Sequence, residues 1–202
     1  MDRSPVVSFA RLDVPVALAE LQAEVGALLD RGWVDHVNQR DYTGRWDVLP
    51  LRCQREHADA HPILQGFAIV GGEHWQDLPV LDHCPAIRGL LAALACPVES
   101  VRLMRLHAGA EIKPHRDPGL GLEHGVARMH VPVRTNASVA FVVDGERMPM
   151  QAGELWYFNA DQVHAVHNRG DQDRIHLVID CVANDWLVAK VQAGDPRHPA
   201  PG

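Results

Sequence analysis

Lysine is nearly absent from this chain: two residues, against 17 arginines. Acidic residues outnumber basic ones, 26 to 19, for a formal net charge of −7. No basic patch of the kind that tracks a phosphate backbone is present, which argues against nucleic acid as a partner. No run approaches the roughly 20 apolar residues of a membrane span. The opening stretch from Met1 to Leu12 has no apolar core of the length that a secretory signal needs. Cysteine is scarce. Cys53, Cys84, Cys96 and Cys181 form no C-x-x-C pair, so the expectation is free, mostly buried thiols in a reducing cytoplasm. Internal repeats and low-complexity blocks are lacking too.

The 202 residues fit one domain. Residues 1–194 read as that domain, with a helical N-terminal elaboration over about 13–97 and a β core over about 98–183; 195–202 read as a Pro-rich tail. Leu18, Leu21, Val25 and Leu28 recur at helical spacing, which predicts a helix over 13–30 with Asp13 as its cap. Pro85 opens a second helix over 85–95, with Ile87, Leu90, Leu91 and Leu94 as its apolar stripe. Residues 57–84 read as loops around a short apolar segment, Ile63 to Val70. Val48, Leu49 and Leu51 suggest a strand that Pro50 would confine to a sheet edge. From Val98 onward short strands follow one another: 101–107, 128–133, 137–143 closed by the turn signal Asp144-Gly145, 153–158, 163–167 and 174–182. A last helix is expected over 184–192. Several short strands with regular turns point to a sandwich or barrel.

The chemistry gathers at Pro114-His115-Arg116-Asp117. In an extended segment, residues two apart point to one side, so His115 and Asp117 present an imidazole and a carboxylate together. His164, 49 residues on, is the natural third ligand. Two His and one carboxylate leave open positions on an octahedral ferrous ion. His107 and His124 are alternative imidazoles close to the motif. Arg174 lies ten residues past His164, in a run where Arg174, His176, Val178 and Asp180 share one face. A buried Arg can hold a ligand carboxylate through two parallel hydrogen bonds. Arg128 and His130 also share a strand face. Trp46 sits in a mixed aromatic and polar stretch suited to a pocket wall, and Arg105 lies on a strand near the site, able to touch substrate or to form an ion pair. His36 reads as a locally bonded loop residue.

Taken together, Pro114 to Asp117, Arg128-Met129-His130, Gly153 to Phe158, His164 and Arg174 to Asp180 resemble the aspartyl/asparaginyl β-hydroxylase family of 2-oxoglutarate oxygenases. Gly44-Arg45-Trp46 and Leu51-Arg52 are similar to the bacterial proline cis-4-hydroxylases within that broad group. The resemblance implies a mainly β double-stranded β-helix (jelly roll, cupin-like) with flanking helices. It implies Fe(II), 2-oxoglutarate and O2 as cofactor and cosubstrates, with His115, Asp117 and His164 as ligands. Arg174 would grip the far carboxylate of 2-oxoglutarate, with His130 nearby, and Arg128 would help bind the cosubstrate or a substrate carboxylate. From their own positions in the sequence, His176 reads as a pocket group or a core His, and Arg105 and Trp46 as candidate substrate contacts. Vertebrate aspartyl hydroxylases carry Gly where this chain has Asp117, a departure that favours a full three-ligand site here. The implied reaction hydroxylates an unactivated C–H of an amino acid, free or in a peptide. A cupin-like isomerase or hydrolase and a non-catalytic binding barrel are the competing readings. A carboxylate clamp at Arg174 tells against the first, and an intact H-x-D against the second.

Overall fold

The computed structural model of the protein describes residues 6–67 and 72–195. The expected tail beyond Asp195 and positions 68–70 of the apolar segment fall outside them. In chain order the elements are β1 (Phe9–Leu12), α1 (Leu18–Ala27), β2 (Val34–Asp35), β3 (Tyr42–Thr43), β4 (Trp46–Gln54), α2 (Pro62–Phe67), β5 (Trp75–Asp77), α3 (Pro85–Ala93), β6 (Val98–Leu106), β7 (Glu111–His115), β8 (Val126–Arg134), β9 (Val139–Val143), β10 (Glu146–Arg147), β11 (Leu155–Phe158), β12 (His164–Asn168), β13 (Arg174–Val182) and α4 (Asp185–Ala193). The strands form two antiparallel sheets. The larger runs β1-β11-β8-β13-β6-β4-β2 with β5 also on β4, and the smaller runs β10-β9-β12-β7-β3. This is the jelly roll that the resemblance implies, within the sandwich or barrel class that the spacing of short strands predicts. Among the described residues no helix is long and apolar enough to cross a membrane, and all four cysteines are free and buried.

Strand alternation divides the interior in two. On β13, Ile175, Leu177 and Ile179 are fully buried and pack with Leu21 and Val25 of α1, Ile87 and Leu90 of α3 and Leu187 of α4. Their neighbours Arg174, His176, Val178 and Asp180 face the other way, into the space between the sheets, where Val178 meets Met104, Phe141, Phe158 and Val166. The helices therefore seal the outer face of the large sheet and leave its inner face for chemistry. Truncating one of the outer isoleucines to Ala would cost about 2–5 kcal/mol.

Three expectations need correction. Helix α1 begins at Leu18, not at Asp13, and its N-cap Ala17 makes no side-chain cap bond; Pro15 holds the residue before it extended. Residues 9–12, unassigned from sequence, form β1 on β11. Pro50 does not mark an edge. β4 pairs with β6 along one side, and on the other with β2 at Asp47 and Val48 and with β5 at Arg52 to Gln54. Among the described residues no ladder partner faces Leu49 and Pro50 on that outer side, the Leu51 carbonyl accepts from the Leu78 N–H at 2.9 Å, and the register with β6 shifts just after Pro50. A residue without an N–H is tolerated at such a bulge. The Asp144-Gly145 turn is as read: φ is 49° and 81°, the left-handed pair of a two-residue hairpin, between β9 and β10.

Candidate active site

His115 ends β7 and His164 begins β12, and the two are direct cross-strand partners. This register removes their separation in sequence: their ring centroids are 4.2 Å apart. Asp117 follows β7 and is tied down by its N–H, which donates to the Ala160 carbonyl at 2.8 Å. Its Oδ1 lies 3.9 Å from His115 Nε2. One donor atom from each of the three residues falls within 4.8 Å of the others, a spacing at which they can hold one metal ion.

Protonation suits that role. His115 Nδ1 lies 2.8 Å from the Lys113 carbonyl, and His164 Nδ1 lies 3.0 Å from the Gln162 carbonyl. A carbonyl oxygen only accepts, so each ring carries a proton on Nδ1, which leaves Nε2 as the nitrogen to offer a metal. Burial pushes the His164 pKa down to about 4, which keeps the ring neutral. Burial pushes the Asp117 carboxyl up, but Arg128, His164 and His115 outweigh it and hold the group below its usual range.

Behind the cluster lies a buried charge network. Arg128 donates to Asp117 Oδ2 and, through Nε at 2.8 Å, to Asp180 Oδ1. Arg102 donates to Asp180 Oδ2 and to Ser100 Oγ, both at 2.7 Å. Burial alone would raise the Asp180 carboxyl, but Arg128 and Arg102 bring it down to about 2. Arg174 is different. It is 1% exposed, donates to His176 Nδ1 at 2.8 Å and sits 5.6 Å over the Phe141 ring. Among the described residues no carboxylate pairs with it, its Nε has no hydrogen-bond partner, and burial lowers its pKa to about 9. The inner face thus carries three guanidiniums against two carboxylates. A buried charge of this kind is costly unless an anion meets it.

These groups open onto one cavity of about 190 Å³, lined by His115, Asp117, His164, Arg102, Arg128, His130, Arg174 and Trp46 together with apolar Val48, Met104, Phe141 and Phe158. Trp46 is held there by a turn that only glycine permits. Gly44 has φ of +82°, and a Cβ on it would come within 2.7 Å of Ala110 Cβ.

A sequence model of the aspartyl/asparaginyl β-hydroxylase family matches residues 17–184. The chain belongs to that family. It is also 31% identical over 83 residues to the L-proline cis-4-hydroxylase of Rhizobium meliloti (strain 1021), a stretch that is 41% of this chain and only 29% of that relative. Solved structures of similar fold include a 2OG-Fe(II) oxygenase family oxidoreductase from Burkholderia pseudomallei, at 18% identity and a TM-score of 0.57 over 87% of this chain and 85% of that one. Another is a non-heme alpha ketoglutarate dependent epimerase, SnoN, from nogalamycin biosynthesis, at 14% identity and a TM-score of 0.53 over 87% of this chain and 78% of that one. At these identities the structures speak for the fold.

In this hydroxylase-family chain most of the expected site residues share the cavity, but two do not. Arg105 faces away: its Nε and one terminal nitrogen clasp Asp47 at 3.0 and 2.9 Å, and its guanidinium lies 4.3 Å over Trp33. The alternation of β6 explains this, because Arg102, Met104 and Leu106 take the inner face while Val101 and Leu103 join the helix-side core. His176 stands behind the wall, bonded to Arg174 and 3.2 Å from His130. The alternative ligands are engaged elsewhere, His107 with Asp47 and Asp173 and His124 with Asp161. His124, Glu123 and Asp161 form a second cluster with metal-like spacing, but Arg116 already pairs with Asp161 at 2.9 Å.

Arg102 and His36 are among the cavity residues that the sequence reading does not assign to the site. Arg102 was detectable as the charged residue on the inner face of β6. His36 was not, because only the folded chain stacks it on Trp46, with ring centroids 3.6 Å apart and planes at 10°.

Proposed function

We propose that this chain is an Fe(II)- and 2-oxoglutarate-dependent dioxygenase that hydroxylates an unactivated C–H of an amino acid, free or within a peptide, of the Asp, Asn or Pro kind. The observation that carries this is the juxtaposition of a His-Asp-His cluster with a fully buried guanidinium that has no carboxylate partner among the described residues. His115, Asp117 and His164 fit a divalent ion: two imidazoles and one ionised carboxylate converge, with the Nδ1 protons of both rings held on backbone carbonyls. Arg174 fits a dicarboxylate, since an oxo acid held at the metal extends a second carboxylate away from it. Ferrous iron with 2-oxoglutarate and O2 would supply the oxidising power, one oxygen atom going to substrate and 2-oxoglutarate leaving as succinate and carbon dioxide.

The chain's own residues bind and orient. Arg174 neutralises the far carboxylate in a dry pocket, where a charge-assisted pair is stronger than in water. Arg128 fixes the Asp117 carboxylate in one rotamer by holding its second oxygen, so Oδ1 stays with the imidazoles. Arg102, linked to Arg128 through Asp180, has an Nε without a partner and is the group placed to meet an anionic end of the substrate. Trp46 and His36 form a flat wall against which a small substrate body can lie. None of these groups needs to move a proton from the C–H bond.

The test is a succinate-release screen over free amino acids and short peptides with Fe(II), 2-oxoglutarate and air, followed by mass spectrometry. The expected result is succinate formation coupled to a product heavier by one oxygen atom. Anaerobic protein that binds neither Fe(II) nor 2-oxoglutarate, and shows no weak visible charge-transfer band with both, would refute the reading.

A further inference from the structure

We propose that Asp180 is a positioning residue for the metal ligand Asp117, acting through Arg128. Asp180 and Arg128 are direct cross-strand partners on β13 and β8. Asp180 is fully buried and grips one edge of the Arg128 guanidinium. Its Oδ1 accepts from Nε at 2.8 Å and its Oδ2 from a terminal nitrogen at 3.3 Å. A guanidinium is a planar fork, so clasping one edge fixes the whole plane. The other terminal nitrogen then has one direction left, and it donates to Asp117 Oδ2. Asp180 is itself held from β6. Arg102 and Ser100 Oγ donate to its Oδ2 at 2.7 and 3.0 Å, and Arg102 also donates to that hydroxyl at 2.7 Å. The register of β13 with β6 shifts at this point, between Ile179 and Cys181, and a bulge is a device that re-aims a side chain.

The consequence falls on Asp117. This residue lies beyond the end of β7, and the bond from its N–H to the Ala160 carbonyl leaves its side-chain torsions free. A carboxylate can offer a metal either oxygen or both. With Oδ2 engaged by Arg128, Oδ1 is the oxygen left, and it is the one 3.9 Å from His115 Nε2. The ligand set then supplies three donor atoms and keeps the other positions of an octahedral ion open. Asp180 touches neither the cluster nor a metal held there; it acts two hydrogen bonds away. A buried acid of this kind could instead serve folding alone. The two roles part at one observable, the metal affinity of the folded protein. The proposal rests on the metal-site half of the oxygenase reading and is independent of cosubstrate and substrate.

The experiment uses the full chain, stripped of metal and titrated with Co(II) at neutral pH without 2-oxoglutarate. The readouts are Kd and the visible absorption of the bound ion. Asp180→Asn keeps the side-chain shape but cannot accept through both terminal atoms. It should raise Kd by about 10- to 100-fold and alter the Co(II) absorption. In an Arg128→Met background the same exchange should change Kd by less than about twofold, because the link is already cut. A role in folding alone would lower Tm and leave Kd and the spectrum as they are. An unchanged Kd in Asp180→Asn would overturn the proposal, and so would a loss of equal size with and without Arg128. Arg128→Lys decides if the Asn variant does not fold: it keeps the charge but lacks the fork, so Kd should again rise, and a native-like Kd would sink the idea. A native chain that binds no Co(II) would refute the metal site and the positioning role together, whereas native binding with an unaltered Asn variant would refute the role alone.

Discussion

Replacing Arg174 with Met tests both the charge logic of the cavity and the proposed cosubstrate site. The guanidinium is 1% exposed, its one hydrogen-bonded partner is the neutral His176 ring, and its pKa falls to about 9. Among the described residues of the ligand-free chain it is therefore a desolvated cation without a counter-charge. Exchanging such a group for an apolar one of similar length is expected to stabilise by about 1–4 kcal/mol, which for a domain of this size raises Tm by about 2–4 °C per kcal/mol. Binding should respond in the opposite sense. A bidentate charged contact contributes about 3–5 kcal/mol when one partner is removed from a buried pair, so the KM for 2-oxoglutarate should rise by about 10² to 4 × 10³. The assays are differential scanning calorimetry with and without 2-oxoglutarate, and succinate release against 2-oxoglutarate concentration. The variant should melt higher than the native chain when empty and gain little from added 2-oxoglutarate. A native-like KM would refute the role of Arg174, and a large drop in Tm would refute the account of its charge.

Asp117→Ala should abolish Fe(II) binding at micromolar metal and lower turnover by at least about 10², read by metal analysis and succinate release. Arg105→Ala should destabilise by about 1–3 kcal/mol, because Asp47 is fully buried and loses its bidentate partner, yet leave both KM values unchanged; a raised substrate KM would put Arg105 back in the site. The Asp180 carboxyl titrates near 2 when folded, below the value of about 3.9 for an unfolded chain. Its contribution of roughly 2 kcal/mol is complete above about pH 5 and is lost as pH falls towards 2. In Asp180→Asn that part of the acid sensitivity should be missing, measured as Tm against pH. Trp46→Ala should raise the substrate KM with little effect on the KM for 2-oxoglutarate, because it removes the wall on which His36 stacks but touches neither Arg174 nor the His-Asp-His cluster; equal effects on both would refute the wall assignment.

Local pattern determined a good deal of this protein by itself. The H-x-D pair, the strand alternation from Val98 onward and the left-handed Asp144-Gly145 turn depend on residues near one another in the chain, and the backbone periods of strand and turn apply to them directly. The same alternation rule put Arg174, His176 and Asp180 on the inner face of β13, and could have placed Arg102 on the inner face of β6.

Pairing and register lay beyond that rule and were decided by the tertiary structure. His115 and His164 became neighbours because β7 and β12 pair in one register; a slip of one residue would have turned His164 to the opposite face. Pro50 is tolerated within β4 because it falls in the gap between two short outer strands, where no ladder bond asks for its missing N–H. His36 became a cavity wall by stacking on Trp46, a contact between a loop and a strand that no periodicity encodes. The same holds for charge: sequence showed many arginines, but only packing revealed which are paired with Asp47 or Asp180 and that Arg174 is buried without a counter-charge among the described residues.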